Sequence, residues 1–315
     1  MKHLVSRHRC FVIEILLVLA SVLAGPASAQ PTTAPRYTLN IPAGTPAAQA
    51  EHSVQFIGTA TVLLRYGGLT VLTDPNFLHK GEHVHLGYGL TSERQTNPAI
   101  DFGALPPIDL VLVSHLHEDH FDKLVQEKLN RATPIVTTAP AADKLRQMGF
   151  TAVIGLGTWQ DLQVTKGGTT LRVTSMPGRH GPLPVAALLP PVMGSMLDFA
   201  SAAGHYRVYV SGDTMVYGDI DEIPRRYPGV NLALLHLGGT KILGIVTVTM
   251  DAQEGVKMLK LIAPDRAIPI HYNDYDVFKS PLSDFQKAVQ KAGLADKVTY
   301  LKHGETWKFE PAAAR

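Results

Sequence analysis

The chain contains 315 residues, of which 45% are hydrophobic and 18% are charged, a composition typical of a globular protein. Its 29 basic and 27 acidic residues leave a formal net charge of only +2, and nothing in the sequence suggests the clustered basic patch that binding to nucleic acid requires. These numbers exclude a mainly disordered chain and argue against a nucleic-acid partner.

The first 29 residues predict a secretory signal peptide. A start that contains three basic residues precedes an apolar run over residues 10–23, and Ala27-Ser28-Ala29 forms a small-residue cleavage pattern. The uninterrupted apolar stretch, residues 15–25, is too short to span a bilayer, which needs about 20 residues. We therefore expect an exported protein, periplasmic or secreted, without a membrane span once the leader is cleaved. An uncleaved anchor and a misassigned start codon are the alternatives.

The only cysteine, Cys10, lies within this leader. The mature protein would therefore contain no disulfide, no thiolate metal ligand and no cysteine nucleophile. Its stability would depend on a hydrophobic core and on any metal that it binds.

Residues 30–50 are rich in Pro, Ala and Thr and are expected to be a flexible lead-in to one domain, residues 51–310. In this domain strands predominate first and helices intervene later, a mixture that favours two sheets covered by helices. A Gly-rich loop is expected at residues 80–89, and Asp119 or Asp122 can cap the first helix. The predicted strands cover residues 53–57, 61–66, 69–73, 110–114, 135–138, 162–176 with a turn at Gly167-Gly168, 207–211, 232–235 and 267–270, and the predicted helices cover residues 121–129, 141–148, 251–261 and 284–292.

The strongest chemical signal is a group of four potential metal ligands directly after a predicted buried strand: His115, His117, Asp119 and His120. In an extended segment His115 and His117 can face the same way. Asp119 and His120 lie at the entry to the next helix and can point toward a second position nearby. No single helix or strand would place all four on one face, so a strand-to-helix loop is predicted. Imidazole and carboxylate together suit Zn²⁺, Mn²⁺ or Fe²⁺.

This motif, His-x-His-x-Asp-His, is similar to that of the metallo-β-lactamase superfamily. Three further candidates follow in the order of the superfamily's ligands, namely His180, Asp213 and His271, and Asp74 matches its early acidic residue. The resemblance extends over about 200 residues and implies an α/β fold, the four-layer αββα metallo-β-lactamase sandwich.

The resemblance also implies two divalent metal ions, with zinc expected before manganese or iron. Asp119 would help to orient the nucleophile and Asp74 would orient ligands through hydrogen bonds, so both are expected to serve catalysis. The implied ligands are His115, His117 and His180 for the first metal, Asp119, His120 and His271 for the second, and Asp213 as the bridge.

Hydrolysis is the chemistry expected of such a pair, because the metals can share a hydroxide and lower the pKa of bound water toward about 7. The segment from Asp74 to Asp109 resembles the branch that contains N-acylphosphatidylethanolamine phospholipase D and ascorbate-6-phosphate lactonase. That branch implies an ester-type bond, phosphodiester or lactone, in a small-molecule or lipid-like substrate. One departure is residues 248–251, which lack a histidine that these relatives often carry. A β-lactamase-like amide hydrolase and a non-catalytic metal-binding protein are the alternatives.

Three more residues are expected near the substrate. His236 follows a predicted buried strand, and Tyr272 and Asn273 follow the last ligand. A hydrogen-bonded core histidine is the alternative for His236. His83 and His85, in the Gly-rich loop, are expected either to line the mouth of the site or to be solvated.

Overall fold

The computed structural model describes residues 35–43, 51–87, 89–242 and 244–312. The predicted signal peptide and most of the predicted lead-in lie outside these residues. Within them, no helix has both the length and the apolar character that crossing a bilayer would require.

Short strands make up most of the regular structure. The strands are β1 (Tyr37–Ile41), β2 (Ser53–Gly58), β3 (Thr61–Tyr66), β4 (Leu69–Thr73), β5 (His83–Gly87), β6 (Leu90–Glu93), β7 (Leu110–Leu112), β8 (Ile135–Thr138), β9 (Val153–Leu156), β10 (Asp161–Lys166), β11 (Thr169–Met176), β12 (Gly194–Ser201), β13 (Gly204–Val210), β14 (Leu232–His236), β15 (Lys241–Ile242), β16 (Val246–Thr247), β17 (Arg266–Ile270) and β18 (Thr306–Lys308). The α-helices are α1 (Lys123–Lys128), α2 (Ala139–Gln147), α3 (Glu222–Arg226), α4 (Ala252–Ile262) and α5 (Leu282–Lys291).

Two seven-stranded sheets form the centre of the fold. One has the order β18-β2-β3-β4-β7-β8-β9, and the other has the order β1-β10-β11-β12-β13-β14-β17. In the first sheet β4, β7, β8 and β9 run parallel, and in the second β13, β14 and β17 do so. The pairs β5–β6 and β15–β16 form separate two-stranded hairpins.

Alternation along the strands separates the core into layers. In β3, Leu64 belongs to the apolar cluster between the two sheets, whereas its neighbour Leu63 packs on the other side with Val125 of α1. In β14, Leu234 faces the other sheet and Leu235 packs with residues of α4 and α5. Successive side chains of a strand point to opposite faces, so each sheet buries one face against the other sheet and one against helices. The predicted four-layer αββα sandwich is confirmed.

Local capping explains where the helices begin. The side chain of Asp122 accepts a hydrogen bond from the backbone N–H of Val125 at 2.8 Å, so Asp122 rather than Asp119 is the cap of α1. Asp251 caps α4 in the same way through the N–H groups of Gln253 and Glu254, both at 2.9 Å. This assignment leaves the carboxylate of Asp119 available for another role.

Two local predictions are wrong. Residues 37–41 were expected to lie in a flexible lead-in, but they form the edge strand β1, which pairs in parallel with β10. Its partly buried Leu39 and Ile41 pack on the core between the sheets, and this alternation was obscured by the Pro- and Ala-rich flanks. Residues 80–89 were expected to be a loop, yet most of them belong to the hairpin β5–β6.

Candidate metal centre

The predicted ligands follow strands that end at one edge of the sandwich. The parallel strands β4, β7, β13 and β17 each lead into a candidate residue, and the carboxyl ends of parallel strands are where open α/β sheets bind ligands. Asp74 follows β4 directly, His271 follows β17 directly, and Asp213 lies three residues beyond β13. The loop after β7 carries the His-x-His-x-Asp-His motif, and His180 lies in the loop after β11.

The backbone at this edge adopts conformations that few residues tolerate. Asp74 and His271 have φ values of +34° and +61°. Gly212, just before Asp213, has a φ of +63°, and a Cβ there would lie 2.6 Å from the carbonyl oxygen of Met193. The N–H of His271 donates to the carbonyl oxygen of Thr59 at 2.6 Å. Left-handed backbone at non-glycine residues costs about 1–3 kcal/mol each and recurs at functional sites.

Three histidines form the first candidate site. Nε2 of His115 and Nε2 of His180 lie 2.9 Å and 3.4 Å from Nδ1 of His117. Nδ1 of His180 donates to the carbonyl oxygen of Val248 at 2.9 Å, so its Nε2 carries the free lone pair. Burial, and then neighbouring histidines, lower the pKa of His117 to about 4 and hold the pKa of His115 well below its usual range. Neutral imidazole is the form that binds metal.

Two aspartates and two histidines form the second candidate site. Oδ2 of Asp213 lies 3.2 Å from Nε2 of His120, and Oδ2 of Asp119 lies 3.3 Å from Nε2 of His271. Nδ1 of His271 donates to the carbonyl oxygen of Leu237 at 3.2 Å, which turns its Nε2 toward the carboxylates. All four side chains are buried, and their ligand atoms lie within 4.8 Å of one another.

The two carboxylates of the second candidate site carry buried negative charge. Burial raises the pKa of Asp119 and of Asp213, but His120 and His271 outweigh it, so the pKa of Asp119 falls to about 2 and that of Asp213 well below its usual range. Burial lowers the pKa of His120, yet Asp213, Asp119 and Asp74 raise it well above its usual range. The site therefore holds ionised carboxylates away from water, and His120 and His271, whose pKa values are both raised, supply the positive charge that a metal ion would replace.

Two buried oxygens test whether these residues fit metal ions. Oδ1 of Asp119 and Oδ1 of Asp213 have no hydrogen-bond partner, although buried polar atoms are normally satisfied. Divalent cations accept such oxygens together with imidazole nitrogens. The residues thus fit divalent metal ions, and all seven predicted ligands are brought together. That each of them binds metal stays a prediction.

Asp74 lies behind the ligands rather than among them. Its Oδ1 accepts the N–H of Ser114 at 2.7 Å, and its Oδ2 lies 3.4 Å from Nδ1 of His120. Burial raises the pKa of Asp74, but His120 and His236 outweigh burial and leave the pKa lowered. Asp74 therefore lies within reach of a candidate ligand, and its role in orienting that ligand stays a prediction.

A cavity of about 470 Å³ opens onto the candidate ligands. Its polar floor includes His117, Asp119, His180 and Asp213. Its walls are apolar and come from the hairpin β5–β6, from residues 185–189 and from the hairpin β15–β16. Two wall residues, Leu188 and Ile245, are 63% and 80% exposed, so apolar side chains reach the rim, where Lys241 is also exposed.

The sequence analysis did not predict these walls, because it placed only polar and aromatic residues near the candidate metal ligands. Leu86 and Leu90 of the hairpin β5–β6 line the cavity, whereas His83 of the same hairpin is exposed and lies 4.0 Å from Glu93. His85 lines a neighbouring depression instead. The usable signal was the alternation within residues 83–93, which places the leucines on the inner side.

None of the three residues expected near the substrate lines this cavity. The ring of Tyr272 packs in the core 5.9 Å from the ring of Phe56, and its hydroxyl donates to the carbonyl oxygen of Leu301 at 3.3 Å. Oδ1 of Asn273 accepts the N–H of Leu282 at 3.2 Å. Both residues line a separate depression of about 390 Å³. His236 is fully buried and does not line the cavity either.

A buried carboxylate stabilises the loop after His271. Asp274 is fully buried, and its Oδ2 accepts the N–H of Thr59 at 2.6 Å. Its Oδ1 lies 3.3 Å from Nε2 of His303. Burial raises the pKa of Asp274, but His303 and Arg94 outweigh it and leave the pKa lowered.

Comparison with known proteins agrees with this architecture. Residues 70–272 match the β-lactamase superfamily domain. A UPF0173 metal-dependent hydrolase of Methanosarcina mazei is 29% identical over 242 residues, which are 76% of this chain and 96% of that protein. One from Thermus thermophilus is 28% identical over 265 residues, which are 82% of this chain and 99% of that protein.

Solved structures show the same fold. The structure of a possible metal-dependent hydrolase from Veillonella parvula superposes with a TM-score of 0.70 at 22% identity, covering 82% of this chain and 100% of that one. The isothiocyanate hydrolase from Delia radicum gut bacteria superposes with a TM-score of 0.69 at 21% identity, covering 82% of this chain and 99% of that one.

Proposed function

The chain belongs to the β-lactamase superfamily and is a metal-dependent hydrolase, and on that basis we propose that it binds two divalent ions, with zinc expected before manganese or iron, and cleaves an ester-type bond. The bond is that of a phosphodiester or a lactone. The sequence from Asp74 to Asp109, which resembles the branch with phosphodiesterase and lactonase members, supports this choice.

The observation that carries the two-ion proposal is the pair of buried, unpartnered oxygens, Oδ1 of Asp119 and Oδ1 of Asp213. They belong to the second candidate site, which is rich in ionised carboxylate. It lies beside the first candidate site, which consists of three histidines. When bound, two divalent ions supply a nucleophile at neutral pH and polarise the oxygen of the scissile group.

The chain's own residues supply the orientation. Asp119 lies both in the second candidate site and on the floor of the cavity, so its carboxylate can accept a hydrogen bond from the attacking water. His180 and His117 flank it on the same floor. With a substrate in the cavity, the apolar walls would exclude bulk water and so strengthen the electrostatic interactions around the reacting group.

The cavity walls indicate the shape of the substrate. Most of the lining side chains are aliphatic, and the exposed Lys241 is the cation among them. A substrate that fits has an apolar body and places its ester-type group on the polar floor, as a small apolar ester or a lipid-like molecule would. An anionic phosphodiester would also gain from Lys241 at the rim.

Export is a further part of the proposal, and it rests on the sequence of the first 29 residues alone. Fractionation of cells that produce the full chain, followed by N-terminal sequencing of the product, tests it directly. A mature N-terminus just after Ala29 in the periplasmic or secreted fraction would support export. An intact N-terminus in the cytoplasm would refute it.

The central experiment measures metal content and turnover on the same preparation. We expect about two zinc ions per chain by mass spectrometry and chelator-sensitive hydrolysis in a panel of bis(p-nitrophenyl) phosphate, lactones and a β-lactam. His115→Ala should abolish hydrolysis and reduce occupancy of the first site, whereas His205→Ala, at an exposed position of β13, should not. Preference for the β-lactam would replace the ester-type assignment, and bound metal without any turnover would favour a non-catalytic protein.

A further inference from the structure

His236 occupies a buried position behind the candidate ligands. It is the last residue of β14 and is fully buried. Its backbone N–H donates to Oγ of Ser211 at 2.9 Å, and its Nδ1 lies 3.3 Å from the same oxygen. Its Nε2 lies 3.2 Å from Oδ2 of Asp74. Both ring nitrogens therefore have partners, and neither faces the cavity.

The partners determine the tautomer of His236. A carboxylate only accepts hydrogen bonds, so the proton lies on Nε2, which donates to Asp74. Nδ1 faces Oγ of Ser211 at 3.3 Å, and that hydroxyl also lies 3.0 Å from the carbonyl oxygen of Gly212. This arrangement leaves Oδ2 of Asp74 between two histidines, His236 on one side and His120 on the other.

The same reasoning orients His120. Its Nδ1 lies 3.4 Å from Oδ2 of Asp74 and 3.4 Å from Oγ of Ser114, which leaves Nε2 as the nitrogen that would bind a metal. That Nε2 points to the second candidate site, where it lies 3.2 Å from Oδ2 of Asp213. A carboxylate that holds the far nitrogen of a ligating histidine fixes the tautomer and the ring orientation of that histidine.

We propose that His236 is a positioning residue, which holds the carboxylate of Asp74 and through it sets His120 for binding of the second metal. The proposal rests on the two-metal centre proposed above. Asp74 lies directly after β4, where its backbone is left-handed with a φ of +34°. The N–H of Ser114 holds one carboxylate oxygen, and His236 holds the other together with His120.

A competing role for His236 follows from the same geometry. Asp74, His120 and His236 offer ligand atoms within 4.8 Å of one another, so they could hold a metal ion themselves. In that case His236 would be a ligand of a third ion. The number of ions per chain separates the two roles, because positioning requires only two.

The test compares two amides at the same position. The amide nitrogen of glutamine can take the place of the imidazole Nε2. The side chain of asparagine is shorter, so its amide nitrogen does not reach Asp74. Cobalt titration of the metal-free protein, followed by visible absorption, reports the first and second equivalents separately. We expect His236→Asn to weaken the second equivalent by about 10–100-fold and leave the first unchanged, and His236→Gln to restore it. His52→Gln, outside every candidate ligand group, is the matched control.

Each outcome decides. Loss of the second equivalent in His236→Asn with rescue in His236→Gln supports positioning. Equal cobalt binding and spectra in both variants and in the wild type refute it while leaving the two-metal centre intact. Three cobalt ions in the wild type, with one lost in His236→Asn, make His236 a ligand and refute it too. If circular dichroism shows that metal-free His236→Gln protein is unfolded, His236 is required for the core rather than for positioning, which refutes the proposal. A wild type that binds no cobalt removes the two-metal proposal and this one together.

Discussion

Replacing Asp213 with asparagine should remove the charge that joins the two candidate metal positions while leaving the shape of the site unchanged. Asp213 is only 2% exposed, with Oδ2 at 3.2 Å from Nε2 of His120 and Oδ1 at 3.6 Å from Nδ1 of His271. Asparagine has nearly the same volume and can still contact both rings. Packing is therefore preserved, and the loss of one negative charge is the main perturbation.

The magnitude follows from the burial of the site. Two unit charges 4 Å apart interact by about 4 kcal/mol at an effective dielectric constant of about 20. Since each 1.4 kcal/mol changes an equilibrium constant about tenfold, the variant should bind metal roughly a thousandfold more weakly for each unit of cation charge affected. Asp119 and Asp74 remain and keep part of the attraction.

The assay is metal retention after dialysis against a chelator series, with hydrolysis measured on the same samples. Asp213→Asn should lose metal at chelator concentrations that the wild type tolerates, and its turnover should fall in parallel. Asp161→Asn, which removes a charge on β10 away from the candidate ligands, is the control. Wild-type metal retention and turnover in Asp213→Asn would refute the assignment of this aspartate as the bridge.

Three further predictions concern the scaffold around the site. Gly238→Ala should lower the free energy of unfolding, measured by chemical denaturation, by more than about 1 kcal/mol. The reason is that φ of Gly238 is +93° and a Cβ there would lie 2.7 Å from the carbonyl oxygen of His271. Gly229→Ala, where φ is +73° and the space around the Cβ is open, should cost less. The pKa of Asp274 in the folded protein lies below its ordinary value of 3.8. Its contribution to the free energy of unfolding is therefore complete above pH 3.8 and is lost as the pH falls through the pKa of the folded state. Asp274→Asn should therefore flatten the acid limb of stability, and an unchanged limb would contradict the ion-pair account. Ile245→Ser should raise KM for p-nitrophenyl phosphodiesters with a long apolar chain but not for those with a short one; equal changes for both would remove this residue from the substrate wall.

The candidate ligands could be predicted because their signals are local. Four of them lie within six residues after an apolar strand, and the others also follow apolar strands in the order of a known motif. A strand that is buried on both faces reads as a continuous apolar run, so its end is visible in the sequence. The same rule failed for β1, since an edge strand is only half-buried and its residues 37–41 alternate between apolar and polar side chains instead of forming a continuous apolar run.

The sequence by itself determined the fold family, and it predicted the candidate ligands and the chemistry that such ligands support. Only the tertiary structure showed which residues His236 contacts, because its partner Asp74 lies 162 positions away and meets it through the order β13-β14-β17 and the packing of two sheets. The tertiary structure likewise placed Tyr272 in the core and built the apolar walls from three distant segments. Contacts between distant segments depend on strand order and register, which hydrophobic patterns within one segment do not encode.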